Sequence, residues 1–155
     1  MNCDIEKFHE LGYVVVTDFL SEDDHHRLNK QCDYFTMLGS NLTNNEDGWI
    51  LNSPNNPCKL DGAMHRSQVF RDLASNDTLS SIARTLLGQE NIDSYISKFF
   101  PMVPFEGFSV GWHQDNHYIK ADPSQLISCD VFVNGTDKEN GCLRIAPNTH
   151  TKKFL

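Results

Sequence analysis

The hydrophobic pattern divides the chain into a helical first half and a strand-like second half. Residues 5–11 are spaced as a short helix, and Gly12 is placed to stop it, because glycine enters the left-handed region at little cost. Residues 13–19 (YVVVTDF) are β-branched and aromatic and predict a strand. Ser21 predicts a helix N-cap, followed by Glu22, Asp23 and Asp24 where the helix dipole favours negative charge. Leu28, Cys32 and Phe35 give that helix an apolar stripe at spacings of four and three. Residues 38–66, rich in Asn, Ser, Gly and Pro, read as a long irregular loop anchored by Trp49, Ile50 and Leu51. Residues 67–74 and 78–87 predict two further helices, the second capped by Asp77 and stopped by Gly88.

From residue 92 the period changes. Residues 92–100, 126–133 and 142–147 alternate or run apolar as strands do, and residues 134–141 (NGTDKENG) read as a hairpin-type connection. Helices first and antiparallel strands later predict an α+β chain whose second half is a β-barrel or jelly roll. A length of 155 residues suits one domain. No repeat, low-complexity tract or linker divides it.

Composition narrows the function. Thirteen Lys and Arg against 21 Asp and Glu leave a net charge of −8, which argues against nucleic-acid backbone binding. No apolar run approaches the roughly 18 residues that a membrane crossing needs. The N-terminus has no basic region followed by an apolar one, so no secretory signal is expected. Cys3, Cys32, Cys58, Cys129 and Cys142 are odd in number, widely spaced and without a CxxC pair. Reduced thiols and a cytoplasmic location are the expectation.

The sharpest chemical feature is Trp112-His113-Gln114-Asp115. On an extended segment, side chains two apart leave the same face, so His113 and Asp115 would converge as two corners of a metal site. His-x-Asp opens the facial triad of two histidines and one carboxylate in non-haem Fe(II) oxygenases. Alone it is a weak signal, since short motifs recur by chance.

Several pieces occur together, however. They are Trp112 to Asp115, His117-Tyr118, Asp122-Pro123-Ser124, the strand ending at Val133, Glu139 to Leu143, and the Pro147-Asn148-Thr149-His150 turn. Near the start stand a helix with Phe8, then Gly12 to Val16, then Leu20-Ser21-Glu22. As a set these resemble the phytanoyl-CoA dioxygenase family of Fe(II)/2-oxoglutarate oxygenases over essentially the whole chain. The resemblance implies N-terminal helices packed on a double-stranded β-helix, a jelly-roll or cupin-like core, with residues 1–155 as one domain. It implies Fe(II) bound by His113 and Asp115, 2-oxoglutarate as co-substrate, O2, and hydroxylation of a small-molecule substrate.

By position, the resemblance puts Lys59, Lys98 and Val131 near the co-substrate. The residues also admit plainer readings: Lys59 as a solvated loop lysine, Lys98 as an edge lysine reaching solvent, Val131 as core. His117 and Tyr118 would line the substrate pocket or hold His113 in its tautomer. His150 is set aside as a ligand because the histidine of this turn is not one in the family. His25 and His26 are expected in a solvated helix start, and His9 and His65 lack a partner pattern.

The family also uses a distal histidine and, after it, an arginine that pairs with the far carboxylate of 2-oxoglutarate, a job suited to a planar fork. Both would lie beyond the 147–150 turn, and Arg144 precedes it. The chain is therefore expected to lack the C-terminal strands, to be a fragment, and to be inactive by itself. The competing readings are a pseudo-enzyme that binds a small molecule without chemistry, and a cupin-like site for another divalent metal. Asp115 favours hydroxylation over halogenation. Oligomeric state and substrate are not legible.

Overall fold

Local capping sets the helices. In α1 (Ile5–Leu11) the Asp4 side chain accepts from the Lys7 amide, and Gly12, at φ 85°, donates to the Phe8 carbonyl. In α2 (Glu22–Gly39) the Ser21 hydroxyl accepts from the Asp24 amide at 3.1 Å, and three acids occupy the first turn. Residues 4–105, 107 and 109–152 are described by this computed structural model. Cys3 and Leu155 lie outside the described residues.

Residues 38–66 are not a structureless loop. They contain an antiparallel hairpin, β1 (Trp49–Ser53) and β2 (Asn56–Asp61), and then a one-turn helix, α3 (Ala63–Arg66). Pro54 and Asn55 form the connecting turn, with Asn55 at φ 65°, a conformation asparagine tolerates. The Asn and Pro content marked the turns correctly but hid the short strands between them. β3 (Lys98–Phe99) completes a sheet of order β1-β2-β3. Two more helices, α4 (Gln68–Ala74) and α5 (Asp77–Leu87), lie between β2 and β3. The cap of α5 is Asn76, whose side chain accepts from the Leu79 amide at 3.1 Å; Asp77 is the first helical residue instead. Downstream are α6 (Asn116–Ile119) and a 3-10 turn at Pro123–Gln125.

One row of the sheet builds the core. Trp49 pairs with Leu60, and Leu60 with Phe99, so all three side chains share a face. That face meets Phe35 from α2 and Phe70 from α4, whose rings stack at 5.6 Å. Gly39 lets the helix approach closely, since a Cβ there would stand 2.8 Å from Pro57 and from the Trp49 ring. Helices α2 and α4 are also joined by Arg27 and Asp72, at 2.9 Å. Among the described residues no helix is long and apolar enough to cross a membrane, and Cys32, Cys58, Cys129 and Cys142 are free thiols.

Most of the expected strands carry no ladder. Residues 13–19, 126–133 and 142–147 have none, and only Lys98–Phe99 of 92–100 is paired. The 134–141 turn does form: Asp137 Oδ1 accepts from the Glu139 and Asn140 amides, and Gly141 sits at φ 87°. Its flanks do not pair. An alternating sequence supplies only one side of a ladder, and the rest must come from a neighbouring strand. The surface reflects this. The chain exposes 11241 Å², against roughly 8,000 Å² for a compact monomer of its mass. Exposed apolar side chains concentrate in this half, among them Tyr95, Phe105, Trp112, Tyr118 and Phe132. The architecture is α+β with a small three-stranded antiparallel sheet.

Candidate metal centre

His113 and Asp115 converge, though not by strand alternation. Asp115 has helical backbone angles, φ −55° and ψ −34°, and stands at the N-cap of α6. Its carbonyl accepts from the Tyr118 amide at 3.0 Å. The turn into the helix therefore swings its carboxylate back to the imidazole, and Asp115 Oδ1 lies 3.1 Å from His113 Nε2. Asn116 closes the far end of this turn, exchanging two hydrogen bonds with Ala121 at 2.9 and 3.0 Å.

The other contacts decide what this pair can hold. His113 Nδ1 lies 2.8 Å from the Gly111 carbonyl oxygen, which can only accept, so Nδ1 carries the proton. Nε2 then presents its lone pair toward a carboxylate oxygen. Two acceptors in contact need a cation between them, a proton or a metal ion. Donor atoms bound side by side at about 2.1 Å from one metal lie about 3 Å apart, and the observed 3.1 Å suits that. The second carboxylate oxygen of Asp115 accepts from Ser128 Oγ at 2.9 Å. The residues present thus fit two adjacent corners of a divalent metal site. Among the described residues no cluster of three His, Cys, Asp or Glu side chains is present.

Ser128 and Asp130 were not singled out from the sequence. Asp130 keeps solvent contact as a residue, but its carboxyl is crowded by protein atoms. That crowding, then the Asp115 charge, pushes its pKa up from the ordinary value. No spacing rule in the sequence links either residue to Asp115, and only the course of 126–133 does. His25 steadies that segment: its Nε2–H donates to the Val133 carbonyl at 2.8 Å, so this histidine does more than decorate a solvated helix start. Val131 is half-buried within the segment.

Tyr118 stands edge-on to His113, with ring centroids 6.2 Å apart, and His117 stands edge-on to Tyr118 at 5.1 Å. Lys59 and Lys98, 39 positions apart, come together on one sheet face. Lys59 Nζ binds Asp61 Oδ2 at 3.1 Å, and Lys98 is the cross-strand partner of Asp61. Lys59 is therefore a paired strand residue, not a solvated loop lysine. Among the described residues no hydrogen bond or ion pair joins either lysine to His113 or Asp115. His150 is turned toward α1, with Nε2 at 3.2 Å from the His9 carbonyl oxygen.

The family profile for phytanoyl-CoA dioxygenase (PhyH) matches residues 8–154. A protein from Arabidopsis thaliana named phytanoyl-CoA dioxygenase is 24% identical over 181 residues, a match covering 94% of this chain and 63% of that protein. The chain therefore spans less than two thirds of that relative's length. No solved structure matches. With the profile running through α1, the sheet and the His113–Asp115 turn alike, the chain belongs to the phytanoyl-CoA dioxygenase (PhyH) family.

Proposed function

We propose that this chain carries two of the iron ligands of a non-haem Fe(II)/2-oxoglutarate-dependent dioxygenase that hydroxylates a small molecule. The observation that carries this reading is the 3.1 Å approach of His113 Nε2 to Asp115 Oδ1, with the imidazole tautomer set by Gly111. Fe(II), when bound, supplies the O2 chemistry that couples conversion of 2-oxoglutarate to succinate and CO2 with hydroxylation of a C–H bond.

The protein's own part is positional. Gly111 holds His113 with its lone pair outward, and Ser128 fixes the rotation of the Asp115 carboxylate. Tyr118, backed by His117, stands edge-on to the imidazole on one side of the pair. Lys59 and Lys98 offer two ammonium groups on one face for a co-substrate carboxylate, with Asp61 holding Lys59 until it is displaced. Val131 contributes an apolar wall. In this reading residues 1–155 form one domain, and segments 92–100, 126–133 and 142–147 are strands of a jelly roll that pair in the intact protein.

The test is Fe(II)-dependent succinate formation from 2-oxoglutarate by the full-length protein. Asp115→Ala and His113→Ala should each abolish it. Hydroxylation that survives Asp115→Ala would refute the ligand assignment. Small-molecule binding without succinate formation would favour a binding module over an enzyme.

A further inference from the structure

Helix α1 ends against a turn from the other end of the chain. The last four carbonyls of any helix lack intrahelical donors. In α1, Phe8 O is taken by the Gly12 amide, His9 O by His150 Nε2–H at 3.2 Å, and Leu11 O by the Asn148 amide at 2.9 Å. Residues 147–150 therefore cap α1 from more than 130 positions away. Gly12 is required twice over. Its φ is +85°, and a Cβ there would overlap the His150 ring, reaching within 2.6 Å of Cγ. The turn keeps its own shape through Thr149 Oγ1, which donates to Ala146 O at 2.8 Å.

The same turn is held from the metal motif. Gln114, between His113 and Asp115, donates from Nε2 to the Thr149 carbonyl at 3.0 Å. One turn thus joins the end of α1 to the backbone that carries both candidate ligands.

We propose that residues 147–150 form a clasp, with Gln114 as a positioning residue, through which the seating of α1 sets the spacing of His113 and Asp115. This rests on the metal-site reading above. The clasp contains no ligand and no reacting group. It acts by holding the short 113–115 backbone against a fixed partner.

The test is Co(II) titration of the full chain, read by its visible absorption, alongside hydrogen exchange at the Asn148 amide. Gln114→Leu should keep Asn148 protected yet weaken Co(II) binding about 10-fold, the usual cost of losing an outer-shell contact. Gly12→Ala should lose both the protection and the affinity. Leu28→Val, a core change on α2, should leave Co(II) affinity unaltered and so separates positioning from general destabilisation. Wild-type affinity in both Gln114→Leu and Gly12→Ala, with binding lost in His113→Ala, would overturn the clasp while sparing the metal site. Wild-type affinity in His113→Ala would instead overturn the metal site, and the positioning role with it.

Discussion

Ser128 Oγ donates to Asp115 Oδ2 at 2.9 Å, while Asp115 Oδ1 faces His113. One carboxylate oxygen is tethered and the other is left for a cation. A carboxylate held this way cannot rotate freely, so less order is lost when a metal binds. Ser128→Ala should weaken Fe(II) or Co(II) binding by about 10- to 100-fold. Isothermal titration checks this, and an unchanged affinity would remove Ser128 from the site.

The Arg27–Asp72 pair predicts an acid sensitivity. Hydrogen bonds from Gln68 and then Arg27 hold the Asp72 carboxyl below its usual 3.8. A depressed folded-state pKa contributes stability above the unfolded value, and that contribution disappears as pH falls through the folded value. Asp72→Asn should therefore lower Tm at pH 7, and the gap from wild type should close below about pH 4. The pair is exposed, so the gap should also narrow in high salt. A gap that widens on acidification would contradict the assignment.

Cys32 should be a slow thiol. Burial, and then the nearby Asp33 charge, push its pKa up to about 11. At pH 8 that leaves roughly 100-fold less thiolate than an ordinary cysteine has. The greater nucleophilicity of a more basic thiolate offsets about 10-fold of this. Iodoacetamide labelling of Cys32, followed by mass spectrometry, should run about 10-fold slower in the folded chain than in urea, or slower still from burial. Equal rates would mean that the α2 face is not covered.

Gly39→Ala tests the core. The added methyl would meet Trp49 and Pro57 at 2.8 Å, both held in the sheet. Overpacking of this kind costs about 1–3 kcal/mol. Urea unfolding should show a lower midpoint with an unchanged slope. Stability at or above wild type would mean that α2 can move off the sheet freely.

The sequence by itself determined what depends on neighbours a few residues apart. Ser21 reaches Asp24, Gly12 reaches Phe8, and Gly88 closes α5, so helix starts and stops were readable as local hydrogen bonds. His113 and Asp115 were readable because two residues suffice to bring them together, although a helical turn and not a strand does it. Tertiary structure decided the rest. The Trp49–Leu60–Phe99 row depends on pairing across gaps that no local pattern encodes. Segments 126–133 and 142–147 had strand-like composition yet carry no ladder, because half of every ladder bond belongs to another strand. Lys98 with Asp61, Ser128 with Asp115, and Gly12 with His150 each meet across at least a dozen positions. Backbone sterics and capping act within one turn of chain, whereas these contacts exist only once the chain has closed on itself.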